Sequence, residues 1–229
     1  MPRAWGDHAS AVFVTGTDTG VGKTWVAAAL LRSLCAAGFR TVGMKPVAAG
    51  FAPGTNVNGD VSELGAAGNV DAPLDARNPY SFADPAAPHL VAAAVDVTID
   101  MRRIADAYAR LRACAEAVVV EGAGGALVPI DRTRDMLDIA VALAIPVVLV
   151  VGMRLGCLNH ALLTVLAVQR RGLALAGWVA NALPPRMALL EQNVDTLTER
   201  LGIAPLAIVA PGERPAFDAA QLATLGFAR

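Results

Sequence analysis

Cysteine, histidine and charge are all scarce in this chain of 229 residues. Its three cysteines, Cys35, Cys114 and Cys157, are widely spaced, with no Cys-x-x-Cys pair. That leaves neither a disulfide framework nor a thiolate metal site, and reads as reduced, mostly buried thiols in a cytoplasmic protein. Only 17% of residues are charged and the formal net charge is −1, so no field of one sign draws the molecule to nucleic acid or an anionic membrane. No apolar run reaches membrane-spanning length. The longest, Ile139 to Met153, is bounded by Asp138 and Arg154 and split by Pro146. The first ten residues carry polar groups and no apolar stretch, so no signal peptide is expected.

What the chain has in quantity is small and β-branched apolar residues, 55% hydrophobic overall, enough to bury the core of one α/β domain spanning residues 1–229. Short β-branched runs read as strands at Ala11–Thr15, Thr41–Met44, Ala117–Glu121, Pro146–Val151, Leu175–Ala180 and Pro205–Val209. Helical patterns alternate with them at Lys23–Ala37, Met101–Cys114, Met136–Ala144, Asn159–Arg171 and Ala188–Leu201. That alternation predicts a mostly parallel sheet with helices on both faces, and the unbroken apolarity of Val118–Val120 and Val147–Val151 suits strands buried on both sides. Residues 47–90 break the rhythm with Pro53, Pro73, Pro79, Pro85 and Pro88. They read as an irregular, substrate-side insertion with one short helix near Ser62–Ala67.

Chemistry concentrates where strands end. Gly16-Thr17-Asp18-Thr19-Gly20-Val21-Gly22-Lys23-Thr24 follows the first strand and opens a helix. Backbone N–H groups of such a P-loop cradle phosphates, with Lys23 reaching the outer phosphates and the Thr24 hydroxyl a ligand for Mg²⁺. The loop is one residue longer than the common spacing, because Thr17 stands where the first glycine is expected. Glu121, at the end of an apolar strand and followed by Gly122-Ala123-Gly124-Gly125, is placed as a second metal anchor. Asp60 adds a third hard oxygen. Lys45 ends the second strand, at the edge where open α/β sheets bind ligands. In Leu155-Gly156-Cys157-Leu158-Asn159-His160, free N–H groups at a helix start could bind a carboxylate, while Cys157 and His160 read as structural. His8 and His89 give no usable signal.

Taken in order, these pieces resemble the dethiobiotin synthetases. The resemblance rests on Phe13–Thr19, Val21–Thr24, Lys45–Ala48, Asn78–Tyr80, Pro88-His89, Val120–Gly125, Leu155–His160 and Gly177–Asn181. It implies a P-loop homodimer that closes a cyclic urea on 7,8-diaminononanoate with CO₂, ATP and Mg²⁺. Lys45 and Lys23 would be catalytic, and Thr24, Asp60 and Glu121 would hold the metal. Thr19, Gly20, Val21, Gly22, Lys23, Thr24 and Trp25, with Glu121, Gly122, Ala123 and Gly124, would surround the phosphates. Asn181 and Ala182, with Val209, Ala210 and Pro211 opposite, would face the adenine. Lys45, Ala49, Gly156, Cys157, Leu158 and Asn159 would meet the diamine substrate. Ala49 stands where the family leads one to expect a serine. Two other readings compete. A regulatory ATPase of the partition or positioning type carries a lysine five residues before the P-loop lysine, where this chain has Asp18. An amidotransferase-type synthetase needs a glutaminase domain for which 229 residues leave no room.

Overall fold

The computed structural model describes residues 10–185 and 187–228, so His8 lies outside the described residues. In chain order the elements are β1 (Ser10–Gly16), α1 (Lys23–Ala36), β2 (Thr41–Met44), β3 (Val47–Ala49), α2 (Gly59–Ala67), α3 (Leu74–Arg77), β4 (Tyr80–Phe82), α4 (Pro88–Ala94), α5 (Met101–Cys114), β5 (Ala117–Glu121), α6 (Met136–Leu143), β6 (Val147–Met153), α7 (Cys157–Arg170), β7 (Leu175–Ala182), α8 (Leu190–Leu201), β8 (Ala207–Val209) and α9 (Ala219–Thr224). Six strands form one sheet in the order β2-β5-β1-β6-β7-β8, and every pairing in it is parallel. No helix among the described residues is long and apolar enough to cross a membrane.

Burial on both faces explains why β5 and β6 are apolar without alternation, since every residue of each is buried. Within β1, Val12 and Val14 join the α1 side of the core, with Val26, Leu30 and Leu34. Ala11 and Phe13 join the opposite layer, with Ile104 and Leu111 of α5 and Leu137 of α6. Three consecutive alanines, Ala27–Ala29, are buried along α1 and keep it close to the sheet. A third cluster sets α7 and α8 against Leu149, Val151 and the fully buried Trp178.

The chain leaves β1 for β2 and β5 on one side, then returns past β1 to β6, β7 and β8 on the other. That reversal puts a crevice at the C-terminal end of β1, where ligands bind in open α/β sheets. Residues 47–90 depart from the irregular insertion expected of them. They hold a two-stranded parallel sheet, Val47–Ala49 on Tyr80–Phe82, and the helices α2, α3 and α4. Strands of three residues are too short to show a periodic pattern, and the prolines that suggested a loop sit at element boundaries: Pro73 is the N-cap of α3 and Pro88 opens α4. Helix α7 begins two residues earlier than expected, after Gly156 in left-handed conformation (φ 95°).

Helix α2 rests on β2 through Gly43. A Cβ there would lie 2.9 Å from both Leu31 Cδ1 and Leu64 Cβ, and 3.2 Å from the Leu64 carbonyl oxygen. Gly43→Ala should therefore cost about 1–3 kcal/mol of stability, seen as a lower denaturation midpoint with an unchanged m-value. An unmoved midpoint would mean that α2 gives way freely.

Candidate active site

The P-loop leaves β1 anchored to β6 by two hydrogen bonds. Thr17 N donates to the Val150 carbonyl at 3.0 Å, and the Thr17 hydroxyl accepts from Gly152 N at 3.2 Å. Gly22 closes the loop as the N-cap of α1 with φ 91°, and a Cβ there would meet Asn181 Nδ2 at 2.3 Å. Only glycine satisfies both constraints. Lys23, the first helical residue, folds back so that its ammonium donates to the Asp18 carbonyl at 2.8 Å. The Asp18 carboxylate accepts from Thr19 N and pairs with the Arg154 guanidinium from the end of β6.

Next to the loop, parallel register brings a second group into place. Met44 pairs with Val120, so the residues that follow them, Lys45 and Glu121, meet at the same sheet edge. Lys45 Nζ donates to Glu121 Oε1 at 2.5 Å, to Asp60 Oδ2 at 2.8 Å and to the Gly122 carbonyl at 3.2 Å. Thr24 Oγ1 donates to the same Glu121 Oε1 at 2.8 Å. Lys45 is 4% exposed and Glu121 0%, so each charge depends on the other for its burial. The turn after Lys45 is held by Asn78, whose amide donates to the carbonyls of Lys45 and Tyr80. Asp60 reaches the site because Asn58 caps α2. The Asn58 side chain accepts from Asp60 N and donates to the Ala49 and Gly50 carbonyls.

The charges shift one another. Burial lowers the Lys23 ammonium to a pKa of about 8, with the nearby Lys45 pushing the same way. Burial also opposes charge on Lys45, but Glu121 and Asp60 more than offset it and hold its pKa above the ordinary lysine value. Asp60 shows the converse: burial pushes it up, and the Lys45 ammonium brings it below the usual carboxylate range.

A cavity of about 900 Å³ opens over these groups. Its wall includes Thr19, Gly20, Gly22, Lys23, Thr24 and Trp25 of the P-loop and α1, together with Lys45, Ala49, Asp60, Glu121, Ala123 and Gly124. Pro85 to Pro88 complete the lining. Glu121 Oε2 is buried without a hydrogen-bond partner. An orphaned carboxylate oxygen is costly, and a hard divalent cation would satisfy it, with the Thr24 hydroxyl and the Asp60 carboxylate supplying further oxygens. The donor set fits Mg²⁺.

Other expected residues lie elsewhere. Val21 is buried under the loop, its carbonyl accepting from Asn181 Nδ2 at 2.8 Å, and a Cβ at Gly122 would strike the Phe13 ring at 2.9 Å. Asn181 and Ala182 end β7, and Val209 ends β8 just before the exposed Ala210 and Pro211. None of these five lines the cavity. Nor do Gly156, Cys157, Leu158 and Asn159 at the start of α7. Cys157 is buried, and that burial pushes its thiol up. Sequence reasoning missed three positioning contacts: the Asn58 clamp, the Asp18–Arg154 pair, and a clasp on Trp25. In that clasp the indole N–H donates to the Glu213 carbonyl at 2.6 Å and the Arg214 guanidinium lies 4.7 Å over the ring. Only the first had a visible cue, since Asn58-Gly59-Asp60 is a helix-capping pattern.

Because the folded chain holds the Lys23 proton more weakly than the unfolded chain does, the unfolded state binds the extra proton between about pH 8 and the ordinary lysine value of 10.5. Stability therefore rises with pH across that window, and at pH 7 the charged Lys23 is a net cost. Lys23→Met should raise the stability of the ligand-free protein at pH 7 by about 1–3 kcal/mol. The gain should fade from pH 8 to 10.5, as read by denaturant unfolding at each pH. A gain independent of pH would refute the burial cost.

A profile of the AAA domain matches residues 10–214. The ATP-dependent dethiobiotin synthetase BioD of Aromatoleum aromaticum (strain DSM 19018 / LMG 30748 / EbN1) is 48% identical over 226 residues, which cover 96% of this chain and 97% of the relative. Among solved structures, the MinD cell division protein of Aquifex aeolicus superposes with a TM-score of 0.53 at 14% identity, over 95% of this chain and 86% of its own. A ParA family ATPase from Chlorobium tepidum TLS gives 0.52 at 12% identity, over 95% and 89%. At those identities the likeness is one of fold.

Proposed function

The chain belongs to the ATP-dependent dethiobiotin synthetase family, and on that premise we propose that its cavity carries out the ring closure of 7,8-diaminononanoate with CO₂ and ATP. The observation that carries the reading is the meeting of Lys23, Thr24, Lys45, Asp60 and Glu121 over one cavity at the C-terminal edge of the sheet. One substrate amine adds to CO₂ and loses a proton, giving a carbamate. A carbamate oxygen attacks the γ-phosphorus of ATP and ADP leaves. The second amine then attacks the carbamoyl carbon, and phosphate departs as the cyclic urea forms.

Positioning and charge neutralisation dominate such phosphoryl transfer. Lys45 steadies the carbamate and its phosphorylated form, and Lys23 follows the transferred phosphoryl group. Thr24, Asp60 and Glu121 hold Mg²⁺, which when bound neutralises charge on the outer phosphates. Gly20 to Trp25 and Glu121 to Gly124 wrap the phosphates. Asn181 and Ala182 lie on the adenine side with Val209, Ala210 and Pro211, while the amides of Gly156 to Asn159 receive the substrate carboxylate. No histidine is needed as a general base. Ala49 lines the substrate side without offering a hydroxyl, leaving its neighbourhood to grip the amines less firmly. The enzyme works in the cytoplasm.

We assign it a homodimeric state as well. On α7, Leu163 and Leu166 are 56% and 48% exposed, and Leu155, just before the helix, is 96% exposed. Leu163 and Leu166 stand three residues apart on α7 and Leu155 adjoins Gly156–Asn159, so a second copy covering them would bring that segment into a shared site.

ADP release should require diaminononanoate and bicarbonate together and proceed without glutamine. ATP turnover indifferent to the diamine would point to a regulatory ATPase and overturn the reading. For the dimer, Leu163→Asp combined with Leu166→Asp should halve the mass measured by sedimentation equilibrium. A wild-type chain that sediments as a monomer ends that assignment.

A further inference from the structure

We propose that Lys45 is a built-in cation that holds the metal site closed to free divalent ions and leaves it only when a metal arrives with the nucleotide. The proposal rests on the reading of Thr24, Asp60 and Glu121 as the metal's oxygens. Two of those three residues are the ones Lys45 grips: its ammonium lies 2.5 Å from Glu121 Oε1 and 2.8 Å from Asp60 Oδ2. Metal and ammonium therefore compete for the charge of the same two carboxylates, the ammonium holding Glu121 Oε1 and Asp60 Oδ2 and leaving the buried Glu121 Oε2 without a partner. In the ligand-free protein the lysine has the advantage, because it is tethered, almost fully buried and donates a third hydrogen bond to the Gly122 carbonyl. It also makes an otherwise untenable pair of charges stable, since Glu121 has no exposure to water.

The exchange keeps each charge partnered. A metal ion entering alone must displace an ammonium that then has no anion to go to. A metal ion entering on a polyphosphate brings anionic oxygens with it, and Lys45 can transfer its hydrogen bonds from carboxylate to phosphate or carbamate oxygens. The same side chain would thus keep stray cations out of the empty site and become available to the substrate only once the nucleotide is in place.

The tests read metal affinity and the lysine itself. In a titration of nucleotide-free protein with MnCl₂, followed by the paramagnetic resonance of free Mn²⁺, Lys45→Met should bind at least about tenfold more tightly than wild type, because a unit charge has been removed from beside the carboxylates. Lys45→Met combined with Glu121→Gln should lose the gain. Without metal, Lys45→Met should melt below wild type and recover as Mn²⁺ is added. An affinity equal to or weaker than wild type overturns the proposal. A second measurement needs no variant. In wild type labelled with [¹⁵Nζ]lysine, the Lys45 ammonium signal should stay put with ADP alone and move with Mg²⁺ and ADP together. If Mg²⁺ does not strengthen ADP binding at all, the metal assignment itself fails and this inference falls with it. If Mg²⁺ strengthens ADP binding while the Lys45 signal is unmoved, the exchange alone is overturned.

Discussion

Much of this molecule depends on burying the carboxylate of Glu121. It stands at the end of β5, on a strand flanked by β1 and β2, with no exposure to water. A lone charge there would be costly enough to destabilise its surroundings. It survives because β2 runs in a register that brings Lys45 alongside and because α1 begins where Thr24 can donate to it. The sheet's register and the site's charge balance are therefore one constraint. A slip of β2 against β5 would strand two buried charges at once, which makes wrong pairings costly. Asp60 is held more loosely: its side chain is 43% exposed and reaches Lys45 from the start of α2.

The main sheet was legible in the sequence because its strands are apolar runs that alternate with helices of clear period. Thr41–Met44, Ala117–Glu121 and Met101–Cys114 have the same limits in the structure as in the pattern. The P-loop was legible because glycines at fixed spacing before Lys-Thr have few other uses. The 47–90 region was not, since β3 and β4 have three residues each and are held by pairing with one another. The short α9 also escaped notice, though Asp218 and Gln221 form a capping box at its start.

Contacts between distant positions were beyond any local pattern. Asp18 and Arg154 are 136 residues apart and meet only because β1 and β6 are neighbours. Trp25 and Glu213 are 188 apart. The resemblance implied that Gly156–Asn159 meet the diamine substrate. In one chain the cavity stops short of them, because the strand order sends β6 and β7 away from β2.

The small sheet of β3 and β4 has an evolutionary consequence. Lys23, Thr24 and Glu121 are carried by β1, α1 and β5, at the centre of the large sheet, where any change of length would disturb the register on both sides. Ala49 and the turn through Asn58, by contrast, hang from two short strands whose connection runs through α2 and α3 outside that sheet. A side-chain replacement at Ala49 can be absorbed there without moving Lys23, Thr24 or Glu121. A lineage could thus retune the organic partner it accepts while inheriting its nucleotide chemistry unaltered, and a residue such as Ala49 is the kind of difference this separation permits.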